Sequence, residues 1–378
     1  MKILHIPNYY SPHVGGIEQV CFDIVESLKD QDVSQEVICF NDENDKEDKI
    51  DIVNDVKIHR CGVQKKIMSQ SISFSYKKNL KKVFKDMNPD IVIFHYPNPF
   101  VASSLLKILK KYKNTKLVLY WHLDIVKQKK IAWIFNSQNK KLLKRSIKVI
   151  ATSPDYILGS RWLTSVKDKT IVIPNCMREE RFIINDSIKD RILKIKEEYK
   201  DKTIIFTYGR HVPYKGYKYL IEASKYLNDD FVILIGGKGE LTDQLKEMAK
   251  DDHKIKFLGR TEDEDIIAYL GAADIFSFPS ITKNEAFGIA LAEAMSQGLP
   301  TVTFKIEGSG VNYVGLKDVT TLEVENANSK AYAEALIRLK DDKELREKLG
   351  NNAKDRVLEL FTFNKFKEHI INLINDIK

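Results

Sequence analysis

Cysteine is scarce in this chain and paired nowhere. Cys21, Cys39, Cys61 and Cys176 form no CxxC pair and no regular framework. That excludes a disulfide scaffold and the usual zinc-finger spacings, and reduced, mostly buried thiols are expected. Histidines and carboxylates show no metal-ligand spacing either, so the sequence gives no sign of a metal cluster. Long apolar runs are also missing. No segment reaches the roughly 18–20 consecutive apolar residues that a membrane-spanning helix needs. The opening MKILHIPNYYSP has no apolar stretch of secretory-signal length. The expectation is therefore a cytoplasmic chain. There is no low-complexity tract, no short-period repeat and no recognisable nucleic-acid-binding module.

What is present is an ordinary globular composition, 43% hydrophobic and 30% charged, which excludes disordered and fibrous classes. At 378 residues the chain is long enough for two domains, each with its own core. The net charge of +8 is uneven: residues 1–185 hold 31 basic against 20 acidic residues, and 186–378 hold 30 against 33. Within 77–148 lie 18 basic residues against only Asp86, Asp90 and Asp124. Such lysines are most simply solvated helix faces. The competing expectation is an anionic membrane surface, with Leu105, Ile108, Leu109, Trp133, Ile134 and Phe135 supplying apolar contact.

KILHIP reads as a buried strand, followed by the polar loop NYYSPHVGG and a helix with an apolar stripe at Val20, Ile24, Val25 and Leu28. DIVIFHY, KLVLYWH, KVIATS and KTIVIPN alternate with Lys-rich helical patterns, the rhythm of parallel strands covered by helices. After the charged stretch that follows Pro174 the rhythm restarts: TIIFTYG, FVILIGG, KIKFLG, DIFSFPS and PTVTF as strands, with helices between them. The reading is α/β, two Rossmann-like doubly wound domains, 1–185 and 186–378. The terminal helical segment, with apolar spacing at Phe366, Ile370, Ile371, Leu373 and Ile374, is placed as able to pack back on the first domain. Ligands of such sheets sit beyond the carboxyl ends of the strands, so NYYSPHVGG, YGRHVPYKG, GGKGE and PSITKNEAFG should face a common interdomain cleft.

Two constellations stand on those loops. In ITKNEAFGIALAEAMSQGLP, Glu285 and Glu293 would stand about 80° apart if both were helical, because eight residues advance a helix by about 800°. If Glu285 instead lies in the loop and a helix begins near Phe287, free amides around Phe287, Gly288 and Ile289 suit a phosphate. The two carboxylates then accept hydrogen bonds from neutral hydroxyls, and a ligand with both phosphate and sugar is implied. For any one Glu pair, capping of an exposed helix is the ordinary alternative. In YGRHVPYKG, Arg210 and Lys215 follow a strand and can neutralise a diphosphate. Gly15 and Gly16 open the first helix, and His122 and Asp124 end the strand KLVLYWH. Asp263–Asp265, a literal DxD, falls at a helix start and reads as helix N-terminal charge. GGKGE lacks the third spaced Gly and the distal acid of a dinucleotide fingerprint.

GGIE, YGRHVPYKG, KFLGR and above all EAFGIALAEAMSQGLP resemble the retaining glycosyltransferases of family 4, whose GT-B fold faces two Rossmann-like domains across a cleft. The resemblance spans essentially the whole chain. HLDIVKQKK, VIATSPDY and EGSGVNYV are most similar to members that build O-antigen, capsule or other cell-surface polysaccharides. The resemblance implies that Arg210 and Lys215 hold the donor diphosphate and that Glu285 contacts hydroxyls of the transferred sugar. It implies amides of Phe287, Gly288 and Ile289 on phosphate or sugar, Glu293 on the ribose, Gly15 and Gly16 near the donor phosphate, and His122 at the reaction centre. The implied partners are a nucleoside-diphosphate sugar (UDP- or GDP-linked) and a lipid-linked or oligosaccharide acceptor. No metal and no cofactor are expected, no nucleic acid is bound, and the chain sits peripherally at the inner face of the cytoplasmic membrane. A nucleotide-sugar epimerase of the same fold and a non-catalytic nucleotide-sugar-binding or assembly protein are the alternative readings.

Overall fold

Short runs of β-branched and aliphatic residues become parallel strands throughout, as expected of segments buried on both faces. The computed structural model describes residues 1–13, 15–42, 45–67, 70–124 and 135–378. It divides into two units, Met1–Ile173 with Phe366–Lys378, and Pro174–Lys365.

The first unit carries β1 (Lys2–Ile6), β2 (Ser34–Phe40), β3 (Lys49–Val53), β4 (Val56–Cys61), β5 (Lys65–Ile67), β6 (Gln70–Ile72), β7 (Ile91–Tyr96), β8 (Lys116–Trp121), β9 (Lys148–Ala151) and β10 (Thr170–Val172). Eight of them form one sheet in the order β10-β9-β8-β7-β1-β2-β4-β3, with β5 and β6 a separate antiparallel ribbon. All neighbours in the sheet are parallel except β3 and β4. The order changes direction between β1 and β7, and there Asn98 Nδ2 donates to Asn8 Oδ1 at 2.6 Å, joining the loops that leave both strands. Val20, Ile24, Val25 and Leu28 of the first helix region are all buried.

The second unit carries β11 (Thr203–Tyr208), β12 (Phe231–Gly236), β13 (Ile255–Gly259), β14 (Ile275–Phe278), β15 (Thr301–Phe304) and β16 (Thr321–Val324), in the order β13-β12-β11-β14-β15-β16. Every pair is parallel. Numbered within the unit this is 3-2-1-4-5-6, the doubly wound dinucleotide-binding order, whose ligand crevice lies where β11 and β14 meet.

Three expectations need correction. The division falls at Ile173/Pro174, twelve residues before the expected 185/186. The reason is packing: Met177, Phe182 and Ile188 enter the core of the second unit, and Met177 N donates to Phe361 O at 2.8 Å. The charged stretch REERF, which the expected bounds put in the first domain, thus belongs to the second unit, whereas Phe366–Lys378 group with the first, as the reading of the terminal segment had it. Leu105, Ile108 and Leu109, expected as membrane contact, are buried along the inner face of helix Pro99–Leu109. Trp133 and Ile134 lie outside the described residues, and Phe135 is half-buried. No helix among the described residues is long and apolar enough to cross a membrane. The four cysteines are buried and none is in a disulfide.

The loop after β14 is held by Gly310, whose N–H donates to Ala286 O at 3.1 Å. A Cβ built on Gly310 would lie 2.1 Å from that oxygen. Gly310→Ala is therefore expected to cost about 1–3 kcal/mol of second-domain stability, the usual range for overpacking. Urea unfolding followed by tryptophan-independent far-UV signal checks it, and an unchanged midpoint would refute the close approach.

Candidate active site

β11 ends at Tyr208 and the chain turns through exposed Arg210 into a 3-10 turn, Pro213–Lys215, before helix Tyr217–Ser224. β14 ends at Phe278 and runs through Pro279–Gly288 into helix Ile289–Ser296. Because β11 and β14 are adjacent, with Ile205 opposite Ile275 and Phe206 opposite Phe276, their exit loops meet. Ile281 N donates to Tyr214 O at 2.9 Å, and Lys215 Nζ lies 2.5 Å from Glu285 Oε2. Both side chains are mostly covered, 14% and 12% exposed. Ser280 Oγ donates to the same carboxylate oxygen at 3.1 Å, and Ser309 Oγ donates to the Glu285 carbonyl. The GGKGE loop after β12 joins this edge: His211 N donates to Lys238 O and Leu241 N to His211 O.

Glu285 lies in the loop and the helix starts at Ile289, two residues later than expected. Gly288 caps it in the left-handed region at φ 94°, which a side chain would strain, and a Cβ there would lie 3.2 Å from Phe278. Phe287 turns its ring into the core against Phe361, so only its backbone is available to a ligand. The helix that follows has eight residues, and no side chain of its cap residue bonds its first amides.

Glu293 is 4% exposed on an otherwise apolar helix. Arg181 Nη1 donates to its Oε1 at 2.7 Å, and the Tyr208 hydroxyl donates to Oε2. Burial pushes the Glu293 carboxyl above its usual range, while the Arg181 guanidinium and the Tyr208 hydroxyl pull it back. Arg181 is in turn clamped by Asp263, through Nη2 at 2.8 Å and Nε at 3.2 Å. Asp263 thus begins helix Asp263–Ala272 and holds Arg181, and Asp265 completes a capping box with Glu262. Sequence reading missed Arg181. The available signal was Glu293 itself, the one charged residue of IALAEAMS, whose burial demands a cation.

In the first unit, Gly15 is the extended N-cap of helix Gly16–Ser27 and Gly16 is exposed at its start. His122 follows β8, buried, with Nε2 2.9 Å from His95 Nδ1 and its ring stacked on Tyr120 at 4.4 Å. Burial lowers its pKa to about 3, so the ring is neutral at physiological pH. Asp124 accepts from Trp121 Nε1 and Ser160 Oγ, each at 2.9 Å, and is tied to the scaffold.

These two sheets are Rossmann-like domains of the GT-B fold. The model of "Glycosyltransferase Family 4" matches residues 14–181, and that of "Glycosyl transferases group 1" matches 188–356. Over 377 residues the chain is 28% identical to O-antigen chain mannosyltransferase C of Escherichia coli, covering 99% of this chain and 98% of that protein. It is 28% identical to D-rhamnosyltransferase WbpZ of Pseudomonas aeruginosa, covering 96% and 92%. Anabaena HepE, solved in complex with UDP and glucose, shares the fold at a TM-score of 0.79 and 18% identity, covering 99% of each chain. The chain belongs to the glycosyltransferases, with a family 4 domain followed by a group 1 domain.

Arg181→Ala is expected to cost about 3–5 kcal/mol, because it leaves the Glu293 carboxylate buried without its cation. Adding Glu293→Gln should return part of that loss in a urea double-mutant cycle. If the single variant costs less than about 1 kcal/mol, the scale of an exposed pair, Arg181 does not hold Glu293.

Proposed function

We propose that this glycosyltransferase moves a hexosyl unit from a nucleoside-diphosphate sugar, UDP- or GDP-linked, to a hydroxyl of a lipid-linked or growing cell-surface glycan, with retention of anomeric configuration. The observation that carries the donor assignment is the Lys215–Glu285 pair beside the Gly288 helix start at the crevice of β11 and β14. A cation, free amides and a carboxylate within one crevice match the three parts of such a donor: diphosphate, backbone-approached oxygens and hydroxyls. Similarity along the whole chain to an O-antigen chain mannosyltransferase and a D-rhamnosyltransferase supports the glycan acceptor.

In this reading Arg210 and Lys215 bind the diphosphate, and Lys215 swings its charge from Glu285 toward the incoming phosphate. Freed in part, Glu285 accepts hydrogen bonds from the transferred sugar. Glu293, fixed by Arg181 and Tyr208, keeps a lone pair on each oxygen for the ribose hydroxyls. Amides at Gly288 and Ile289, and those at Gly15 and Gly16, approach phosphate, and His122 contacts the sugar. The sugar C1–O bond to phosphate breaks as C1 bonds to the acceptor oxygen on the same face. The acceptor proton passes to the departing diphosphate, so no protein nucleophile is needed. The protein contributes positioning and electrostatic stabilisation of the leaving group. We assign no metal to the diphosphate, since Arg210 and Lys215 supply its counter-charge.

A thermal-shift screen against UDP, GDP and their sugar conjugates tests the donor site. A ligand at about 100 times its dissociation constant should stabilise the protein by about 2.7 kcal/mol, independently of added magnesium, and Lys215→Ala should abolish the shift. No shift from any nucleoside diphosphate would overturn the donor assignment. Proton NMR of the product should show the anomeric configuration of the donor, and an inverted product would overturn the retaining route.

We further propose peripheral attachment at the inner face of the cytoplasmic membrane. Lys77, Lys78, Lys81, Lys82 and Lys85 are exposed along helix Tyr76–Met87, and each basic residue near an anionic leaflet contributes roughly 1 kcal/mol. Sedimentation with anionic vesicles should fall as salt rises, and equal binding to neutral vesicles would sink the proposal.

A further inference from the structure

The parallel register of β1 and β7 sets His5 opposite Ile93. Side chains alternate along strands, so His95, two residues beyond Ile93, stands on the same face as His5. Helix Gly16–Ser27 lays Cys21 over that face. His5, Cys21 and His95 are each 0% exposed, and one donor atom from each lies within 4.8 Å of the others.

The Gln35 amide sets the tautomer of His5. Gln35 Nε2 donates to Val25 O at 3.0 Å, which turns Gln35 Oε1 toward His5 Nε2 at 2.9 Å. An amide oxygen only accepts, so the His5 proton is on Nε2 and Nδ1 is a bare lone pair. That Nδ1 has no hydrogen-bond partner, and neither has His95 Nε2. Burial lowers the His5 pKa to about 4 and holds His95 well below its usual value, so both rings are neutral. A donor atom of each residue thus meets the others in a fully buried place, and each histidine there has one nitrogen without a partner, which is rare for buried polar atoms.

We propose that His5 Nδ1, His95 Nε2 and the Cys21 sulfur bind one borderline-soft divalent cation of the zinc class. Two imidazoles and a thiolate suit zinc or cobalt, and exclude magnesium and calcium, which take oxygen ligands. On binding, the Cys21 S–H bond breaks, its proton leaves to solvent and the sulfur lone pair bonds the metal. His5 keeps its proton on Nε2, bonded to Gln35. His95, bound through Nε2, carries its proton on Nδ1 and donates it to His122 Nε2 at 2.9 Å. Gln35 and His122 thus orient the two imidazole ligands from outside, as partners of metal-bound histidines generally do. His122 is held with its own proton on Nδ1. The site lies wholly within the first domain and is independent of the donor residues of the second.

Full-length protein produced with zinc, then with cobalt, tests this under reducing conditions. One equivalent of zinc should survive gel filtration by elemental analysis, and the cobalt form should show a thiolate-to-cobalt charge-transfer band. Cys21→Ser should lose the band, and Gln35→Ala should weaken binding by about 10–100-fold, with circular dichroism confirming a native fold in each. If Cys21→Ser fails to fold, the zinc content and cobalt spectrum of the unaltered protein decide alone. Substoichiometric metal in folded wild-type protein means that water fills the cluster and overturns the proposal. A band that persists in Cys21→Ser places the metal on another thiol and overturns it equally.

Discussion

A parallel sheet joined by right-handed crossovers must send its helices to one face on one side of its first strand and to the other face beyond it. At the change the two exit loops part, and backbone amides there remain uncovered by helices. In the second domain that place is the junction of β11 and β14. Lys215 and Glu285 lie far apart in sequence and meet only because these strands are neighbours. The tight turn at Gly288, the close approach of Gly310 to Ala286 and the Ser309 bond to the Glu285 carbonyl all serve to hold one loop at that edge. Packing defines the crevice, and the charged groups exploit it.

Glu293 shows what this arrangement demands of stability. A carboxylate inside an apolar helix loses its hydration, and a buried ion pair recovers that cost only with good geometry and further hydrogen bonds. Arg181 and Tyr208 give one bond to each oxygen, and Asp263 fixes Arg181 on its other edge. A leucine at 293 would pack more simply. The charged network instead holds both carboxylate oxygens in place, and in the proposed donor site that would let ribose hydroxyls bind without ordering a side chain. On that proposal, stability is given up in favour of a preorganised acceptor.

Much of the fold is legible in the sequence because its parallel strands are contiguous apolar runs. KILHI, IVIFHY, FVILIG and TVTF all become strands. β2, β3, β4 and β16 escape because SQEVICF, KIDIV, VKIHRC and TLEV are short or interrupted by charge. The domain boundary escapes for a related reason: REERF is a short charged run, yet Phe182 and Arg181 both have partners in the second domain that no local pattern encodes. Similarly, Leu105, Ile108 and Leu109 read as available apolar surface beside lysines, whereas helical periodicity turns those three inward and the lysines outward.

The site divides along the same line. Arg210, Lys215, Glu285 and Gly288 are legible because loop and helix start are contiguous segments, and backbone chemistry leaves its mark in glycine and spacing. The His5–Cys21–His95 cluster has no such mark. Its members are scattered over the first 95 residues, and each alone reads as an ordinary core side chain. Strand register brings the two histidines to one face, and only the orientation of the Gln35 amide shows that a nitrogen of His5 is bare. Patterns report what a segment does with its own backbone. Demands between segments become visible only by asking which buried charge or lone pair still requires a partner, and Glu293 poses that question from the sequence alone: one carboxylate in IALAEAMS implies a cation elsewhere in the chain.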